Sequence, residues 1–394
     1  MPFLGLAKLE IGRIILHLYT MAMGHDQIIE QKLSGSGLTL HFLPIEFSSS
    51  KMNQNHGPTC SGQEEYWSDP KTHEKYKEII STTPQRKGIW VADLHQHEGF
   101  WWSAYSLKGV LRAQDHFMPQ PNNVILSSAP KSGTTWLKAL SFAVMTRSHF
   151  DEPASPLLTR LAHDCVPFLE SEVRSNPQNL DLDVPLLATH IPYTFLPKSI
   201  IDSGCKIVYI CRDPKDVFVS LWHFVRKMNP KAMDASALED LHLEDAFEFF
   251  CEGFSSFGPY WDHVLGYWRA SLESPEKVLF LKYEDLKNDT ISWVKKLAQF
   301  MGYPFSSDEE QKGMVHKIVN LCSFENLSSL EVNKSGITQV GTNFVSLKNS
   351  SFFRKGEVGD WKNHLKLEMA MRLDQITEQK LKGSGLTFHF SSNA

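Results

Sequence analysis

Residues 123–140 read Asn-Val-Ile-Leu-Ser-Ser-Ala-Pro-Lys-Ser-Gly-Thr-Thr-Trp-Leu-Lys-Ala-Leu. The opening run, 123–127, is apolar without alternation, as a strand covered on both faces requires. After it Pro130, Lys131, Ser132, Gly133, Thr134, Thr135 and Trp136 make a Gly-containing turn rich in small hydroxyl residues, and a helix is predicted over 133–147. Strand, turn and helix in this order present backbone N–H groups and a helix N-terminus to an anion, the arrangement that cradles phosphate. The nucleoside-triphosphatase pattern GxxxxGK[ST] is not satisfied, because Lys131 precedes the only Gly of the turn.

The same grammar repeats outward from this segment. Short apolar runs recur at 185–189, 206–211 and 277–281, with helical periodicity over 214–227 and, in one or two pieces, over 243–270. Pro214 stands at a plausible first helical position. Alternating strand and helix predicts a single α/β domain with a central parallel β-sheet flanked by helices. Polar residues cluster just past the strand ends: Lys131 to Thr135 after the first run, His190 after the second, Arg212 after the third, and Tyr283-Glu284-Asp285 after the fourth. In open α/β sheets ligands bind outside the carboxyl ends of the strands, so four segments aim at one crevice.

Arg212 and Ser220 lie eight residues apart, a strand end and a site two turns into the next helix. Arg offers a fork of donors suited to phosphate, although Arg212-Asp213 taken alone reads as a surface ion pair. Phe353-Arg354-Lys355-Gly356 reads alone as a loop with solvated charges, and beside a phosphate loop as a second anion clamp. His190 at a strand end suits a general base, against the plainer reading of a hydrogen-bonded structural residue. His95 and His97 lack a third ligand at diagnostic spacing, so no metal site is expected. Of the aromatic residues Phe100, Trp101, Trp102, Phe168, Tyr193, Phe195, Tyr260, Trp261 and Trp268, most belong to a core, and some should line an apolar acceptor pocket.

Composition limits the alternatives. The 394 residues are 42% apolar and 22% charged, enough to bury a large core, which excludes a disordered or fibrous chain. Forty basic against 45 acidic residues give a formal charge of −5, so no global field exists to hold nucleic acid. Six cysteines without CxxC spacing favour a reducing compartment, in which the sequons at Asn288, Asn326 and Asn333 are chance. No apolar stretch is long enough for a membrane helix, and Lys8, Glu10 and Arg13 interrupt the mildly apolar first 20 residues, against a secretory signal.

Residues 21–42 align without gaps on 369–390, with 17 identities in 22. Two copies at opposite ends are no solenoid. They read as a related tail joined in front of the domain, by fusion or by a faulty gene prediction, with Met52 as the ordinary start. The tail's own docking position is taken by the second copy, so residues 1–51 are expected to be a mobile extension and 52–394 the domain proper.

Together APKSGTTWLKAL (129–140), ATHIPYTFLP (188–197), IVYICRDPKDVFVSLWHF (207–224), FLKYEDLKND (280–289), LCSFENLSSLEVNK (321–334) and FFRKGEVGDWKNHL (352–365) resemble the plant cytosolic sulfotransferases over about residues 60–390. The resemblance implies a fold like that of P-loop kinases and a cytoplasmic location. It also implies sulfonate transfer from 3′-phosphoadenosine 5′-phosphosulfate (PAPS) to a hydroxyl of a small acceptor such as a flavonoid, steroid or hydroxyjasmonate. The product is adenosine 3′,5′-bisphosphate (PAP), and no metal is needed. Carried over by position, Lys131, Ser132, Gly133, Thr134, Thr135 and Trp136 resemble the loop around the 5′-phosphate. Arg212, Ser220, Arg354, Lys355 and Gly356 resemble the 3′-phosphate cradle, Tyr283, Ser323 and Phe324 the adenine side, and His190 the catalytic base, with Lys131 beside the leaving oxygen. Two departures from animal members stand out: Ala188 replaces a Lys two residues before the His, and Lys366 and Met371 interrupt the animal dimer motif. A monomer or weak homodimer is expected. The competing readings are a nucleotide-dependent phosphotransferase on the same sheet and a catalytically inactive donor-binding protein.

Overall fold

A computed structural model describes residues 29–34, 37–42, 70–87, 93–150, 152–171, 184–230, 242–340 and 345–388. The chain forms two compact units, Met1–Ser61 and Gly62–Ala394. In the first, Ile29–Ser34 pairs antiparallel with Gly37–Phe42. The mobility expected of the rest of 1–51 falls outside the described residues.

The second unit is built on four parallel strands, β1 (Val124–Ser128), β2 (Leu186–Thr189), β3 (Lys206–Cys211) and β4 (Val278–Lys282), in the order β4-β3-β1-β2. Each coincides within a residue with an apolar run of the sequence. Period-two alternation sends successive side chains to opposite faces, and both faces are covered. Ile125, Leu187, Ile207 and Tyr209 enter one apolar cluster, whereas Val124, Leu126, Leu186, Val208 and Ile210 enter the other. This is why the strands lack the polar alternation of a one-sided sheet.

Helices α1 (Thr134–Thr146), α2 (Pro214–Arg226), α3 (Tyr260–Glu273) and α4 (Leu367–Leu381) frame the sheet. The stretch 243–270 divides into Leu243–Cys251 and α3, separated by Gly253 and Pro259. Helix α4 docks by burying Met369, Ala370, Leu373, Thr377 and Leu381, and the Thr377 hydroxyl accepts a bond from Trp261 Nε1 at 2.9 Å. Helix α2 starts with Asp213 as its cap, accepting from the Lys215 N–H at 2.8 Å, and with Pro214 at its first turn.

Candidate active site

The loop after β1 turns tightly into α1. Lys131 and Gly133 both take left-handed backbone, φ 68 and 114. For Lys131 that is an unusual conformation, which the surrounding contacts must hold in place. Gly133 is needed for a second reason: a Cβ there would come within 2.8 Å of the Tyr283 ring. Thr134 is tied to the strand by a 2.7 Å bond with Ser128, while the buried Ser132 hydroxyl has no partner. An unspent hydroxyl beside a helix N-terminus fits an anionic ligand.

Lys131 lies with its ammonium 3.8 Å from the Phe224 ring centre. Burial, with Arg212, Lys227 and Arg354 nearby, lowers its pKa to about 7. Lys131, Ser220 and Arg354 line one cleft. The loop after β1, helix α2 and the segment after Phe353 therefore face a shared space, although 223 residues separate Lys131 from Arg354 (354 − 131).

What fixes the distant cations is a pair of carboxylates. Asp216, fully buried on α2, accepts from the N–H groups of Gly359 (2.7 Å) and Trp361 (3.0 Å) and lies 3.4 Å from the Arg212 guanidinium. Asp360 pairs with Arg354, with Lys355 at 3.0 Å and with His364 at 3.3 Å. Burial opposes its ionisation, but bonds from Asn363, Arg354 and Lys355 hold its carboxyl well below the usual range. Arg212 donates to the Glu357 carbonyl at 2.5 Å and lies over the Tyr283 ring at 4.5 Å. The Nε atoms of Arg212 and Arg354 are buried without partners. Lys355 is half in solvent, with 46% of its side chain exposed, and so is the loosest cation of the set.

The adenine-side candidates largely meet. Tyr283 donates to the Gly356 carbonyl at 3.1 Å and packs edge-on against Trp136 at 5.5 Å. Gly356 has φ 66, and a Cβ there would reach within 2.6 Å of the Phe324 ring. Ser323 instead spends its side chain capping the helix Phe324–Ser329, accepting from the Asn326 N–H at 3.1 Å.

His190 sits at the end of β2, bonded through Nδ1 to the Ser128 carbonyl at 2.7 Å. A carbonyl only accepts, so Nδ1 carries the hydrogen and Nε2 keeps a free lone pair. Burial lowers the imidazole pKa to about 3, with Lys138, His263 and Lys131 adding to the shift and the Ser128 bond opposing it. Phe168 and Phe257 flank the ring at 4.8 and 5.4 Å. Phe168 was among the aromatic candidates; Phe257 was not. His95 is engaged elsewhere, with Thr83 at 3.0 Å.

Several residues that the sequence reading passed over support this centre. Glu170 accepts the His190 N–H at 2.7 Å and the Thr189 hydroxyl at 2.8 Å, and burial raises its pKa. His263 Nε2 donates to the His190 carbonyl at 2.9 Å. Lys138, completely buried on α1, reaches His163 Nδ1 at 2.9 Å, and His163 Nε2 reaches the Thr135 hydroxyl at 3.1 Å. Burial lowers the pKa of both Lys138 and His163. The only sequence signal for these residues was position: Lys138 lies seven residues beyond Lys131, too late to read as part of the loop.

The sulfotransferase domain profile matches residues 121–385. A flavonol sulfotransferase-like protein of Flaveria bidentis is 51% identical over 314 residues, covering 79% of this chain and 99% of its own. Cytosolic sulfotransferase 16 of Arabidopsis thaliana is 46% identical over 81% of this chain and 94% of its own. Among solved structures, an Arabidopsis thaliana chain assigned as a steroid sulphotransferase is 39% identical, with a TM-score of 0.59 over 79% of this chain and 94% of that one. Mouse sulfotransferase SULT7A1, complexed with PAP, is 26% identical with a TM-score of 0.54, over 74% and 95%. A parallel sheet carrying this loop, together with identity at this level over most of the chain, makes the protein an enzyme of the sulfotransferase family, of the plant cytosolic type.

Proposed function

We propose that the protein transfers the sulfonate group of PAPS to a hydroxyl of a flat phenolic acceptor of the flavonol kind, with His190 as general base. The observation that carries the reading is the cleft itself: Lys131, Ser220 and Arg354 face one space, and the Nε of Arg354 on its lining is buried without a partner. A donor phosphorylated on both sides of its ribose needs two such anion sites. Several relatives are named flavonol sulfotransferases, and a solved neighbour holds PAP.

In the proposed step, the acceptor oxygen forms a bond to sulfur as its proton passes to His190 Nε2. The bond from sulfur to the bridging phosphate oxygen breaks, and PAP leaves with the electron pair. Lys131 offsets the charge gathering on that oxygen, the electrostatic service that usually dominates such transfers. Phe168 and Phe257 beside the imidazole give a flat acceptor ring two faces to pack on. The enzyme acts in the cytoplasm as a monomer or weak homodimer. Lys366 at the interrupted dimer motif pairs within its own chain with Glu244, at 3.2 Å.

The test is a panel of hydroxylated metabolites with sulfur-labelled PAPS, run on the native enzyme and on His190→Ala. General-base removal should cost about 10²- to 10⁴-fold in kcat, with PAP affinity retained. Transfer by His190→Ala at a near-native rate overturns the assignment, and a divalent-metal requirement with phosphoryl transfer would favour a phosphotransferase instead.

A further inference from the structure

One buried donor in the cleft belongs to none of the residues assigned above. His223 lies three residues beyond Ser220 on α2, a spacing that puts both on the same helix face. It lines the cleft together with Lys131, Ser220, Phe224, Lys227 and Arg354. Its Nε2 is shielded from solvent and bonded to nothing. The ring is not loose: it packs edge-on against Trp222 at 4.6 Å and against His364 at 4.8 Å, and His364 in turn is held 3.3 Å from Asp360. The carboxylate that anchors Arg354 thus also backs the imidazole that backs His223.

An orphaned buried nitrogen costs stability, and such a group in a native fold calls for an explanation. The surroundings supply one. Burial, with Arg354, His364, Lys227 and Arg226 close by, lowers the His223 pKa to about 4. The cations around it disfavour a further positive group; an anion reaching between Ser220 and Arg354 would meet Nε2 of the neutral ring, in the tautomer that places its hydrogen there.

We infer that His223 is a direct ligand of the second phosphate of the donor, donating Nε2–H to it beside Ser220 and Arg354, and so helps the enzyme select a ribose carrying a 3′-phosphate. This rests on the proposed reading of the cleft as the PAPS site. The contact is to a dianion, the class of hydrogen bond whose removal costs most.

The experiment compares adenosine 3′,5′-bisphosphate with adenosine 5′-monophosphate by calorimetry on the native enzyme, on His223→Phe and on His223→Gln. The native protein should prefer the bisphosphate. His223→Phe should weaken the bisphosphate by about tenfold or more, the order expected for one hydrogen bond to a charged group, and leave the monophosphate unchanged. His223→Gln, which keeps an N–H donor, should recover much of the loss. Equal weakening of both ligands, or none, overturns the inference. A native enzyme that does not prefer the bisphosphate overturns the underlying donor reading instead. Nitrogen-15 spectra of His223 in the native protein give the same answer without a variant: Nε2 should shift on adding the bisphosphate and stay put with the monophosphate, and a shift common to both counts against the contact.

Discussion

In the proposed donor site, the loop at 130–136 and the clamp at 354–356 perform the same physical task by opposite means. In the loop the donors are contiguous. A strand end, two left-handed residues and a helix start follow one another directly, and each element is specified by its neighbours in sequence. The clamp brings together Arg354 and Gly356 with Arg212, Ser220, Tyr283 and Phe324 from three other segments, held in place by Asp216 and Asp360. A backbone cradle is fixed once the chain turns. A side-chain cradle must be held against solvent and entropy by groups that need never touch the ligand.

The contrast is broken most severely at the loop. Lys131→Met removes the cation nearest the developing charge, and the loss of one such stabilising group should lower kcat by about 10²- to 10³-fold. Acceptor affinity, read from product-inhibition kinetics, should hardly move. A loss confined to KM for the donor would make Lys131 a plain binding residue.

Next comes a residue outside the contact set. Asp360→Asn keeps the shape but removes the charge that Arg354, Lys355 and His364 share. We expect KM for PAPS to rise about ten- to hundredfold, in line with charged hydrogen bonds worth roughly 1.5–3 kcal/mol, and kcat to hold. An unchanged donor KM would mean that Arg354 is placed by something else. A milder break is Gly356→Ala. Left-handed backbone costs a non-glycine residue about 1–2 kcal/mol, and the new Cβ presses on Phe324 at 2.6 Å, so donor binding should weaken about five- to thirtyfold, measured by PAP titration.

This difference also explains what could be read from the sequence. The strands were legible because burial on both faces leaves uninterrupted apolar runs, and the loop because its chemistry is local. Glu170, Asp216 and Asp360 were not, because a carboxylate's partner depends on which distant segment folds against it. The repeated tail makes the same point from another side. Copy 369–390 is helical through Leu381, whereas in copy 21–42 the segments Ile29–Ser34 and Gly37–Phe42 pair as antiparallel strands. Only five positions differ, but Gly24 and His25 stand where the second copy has Arg372 and Leu373. Arg372 pairs with Glu248 at 2.5 Å, and Leu373 is completely buried.

The smallest expected effect concerns the proton on Lys131, and it separates the two cradles by pH. Crowded by Arg212, Lys227 and Arg354 and removed from solvent, Lys131 titrates at about 7 instead of near its ordinary value. It is charged below that pH and neutral above, so kcat/KM for PAPS should fall as pH rises through 7, by about fivefold between pH 7 and 8 for a single ionisation. His190, at about 3, is already neutral there and contributes no limb above pH 5. Lys131→Arg should therefore flatten the profile above pH 7, even if the bulkier side chain lowers its overall height. A falling limb that survives in Lys131→Arg would place the titrating group outside the loop, and the cradle that depends on side chains rather than backbone would then be the one that senses pH.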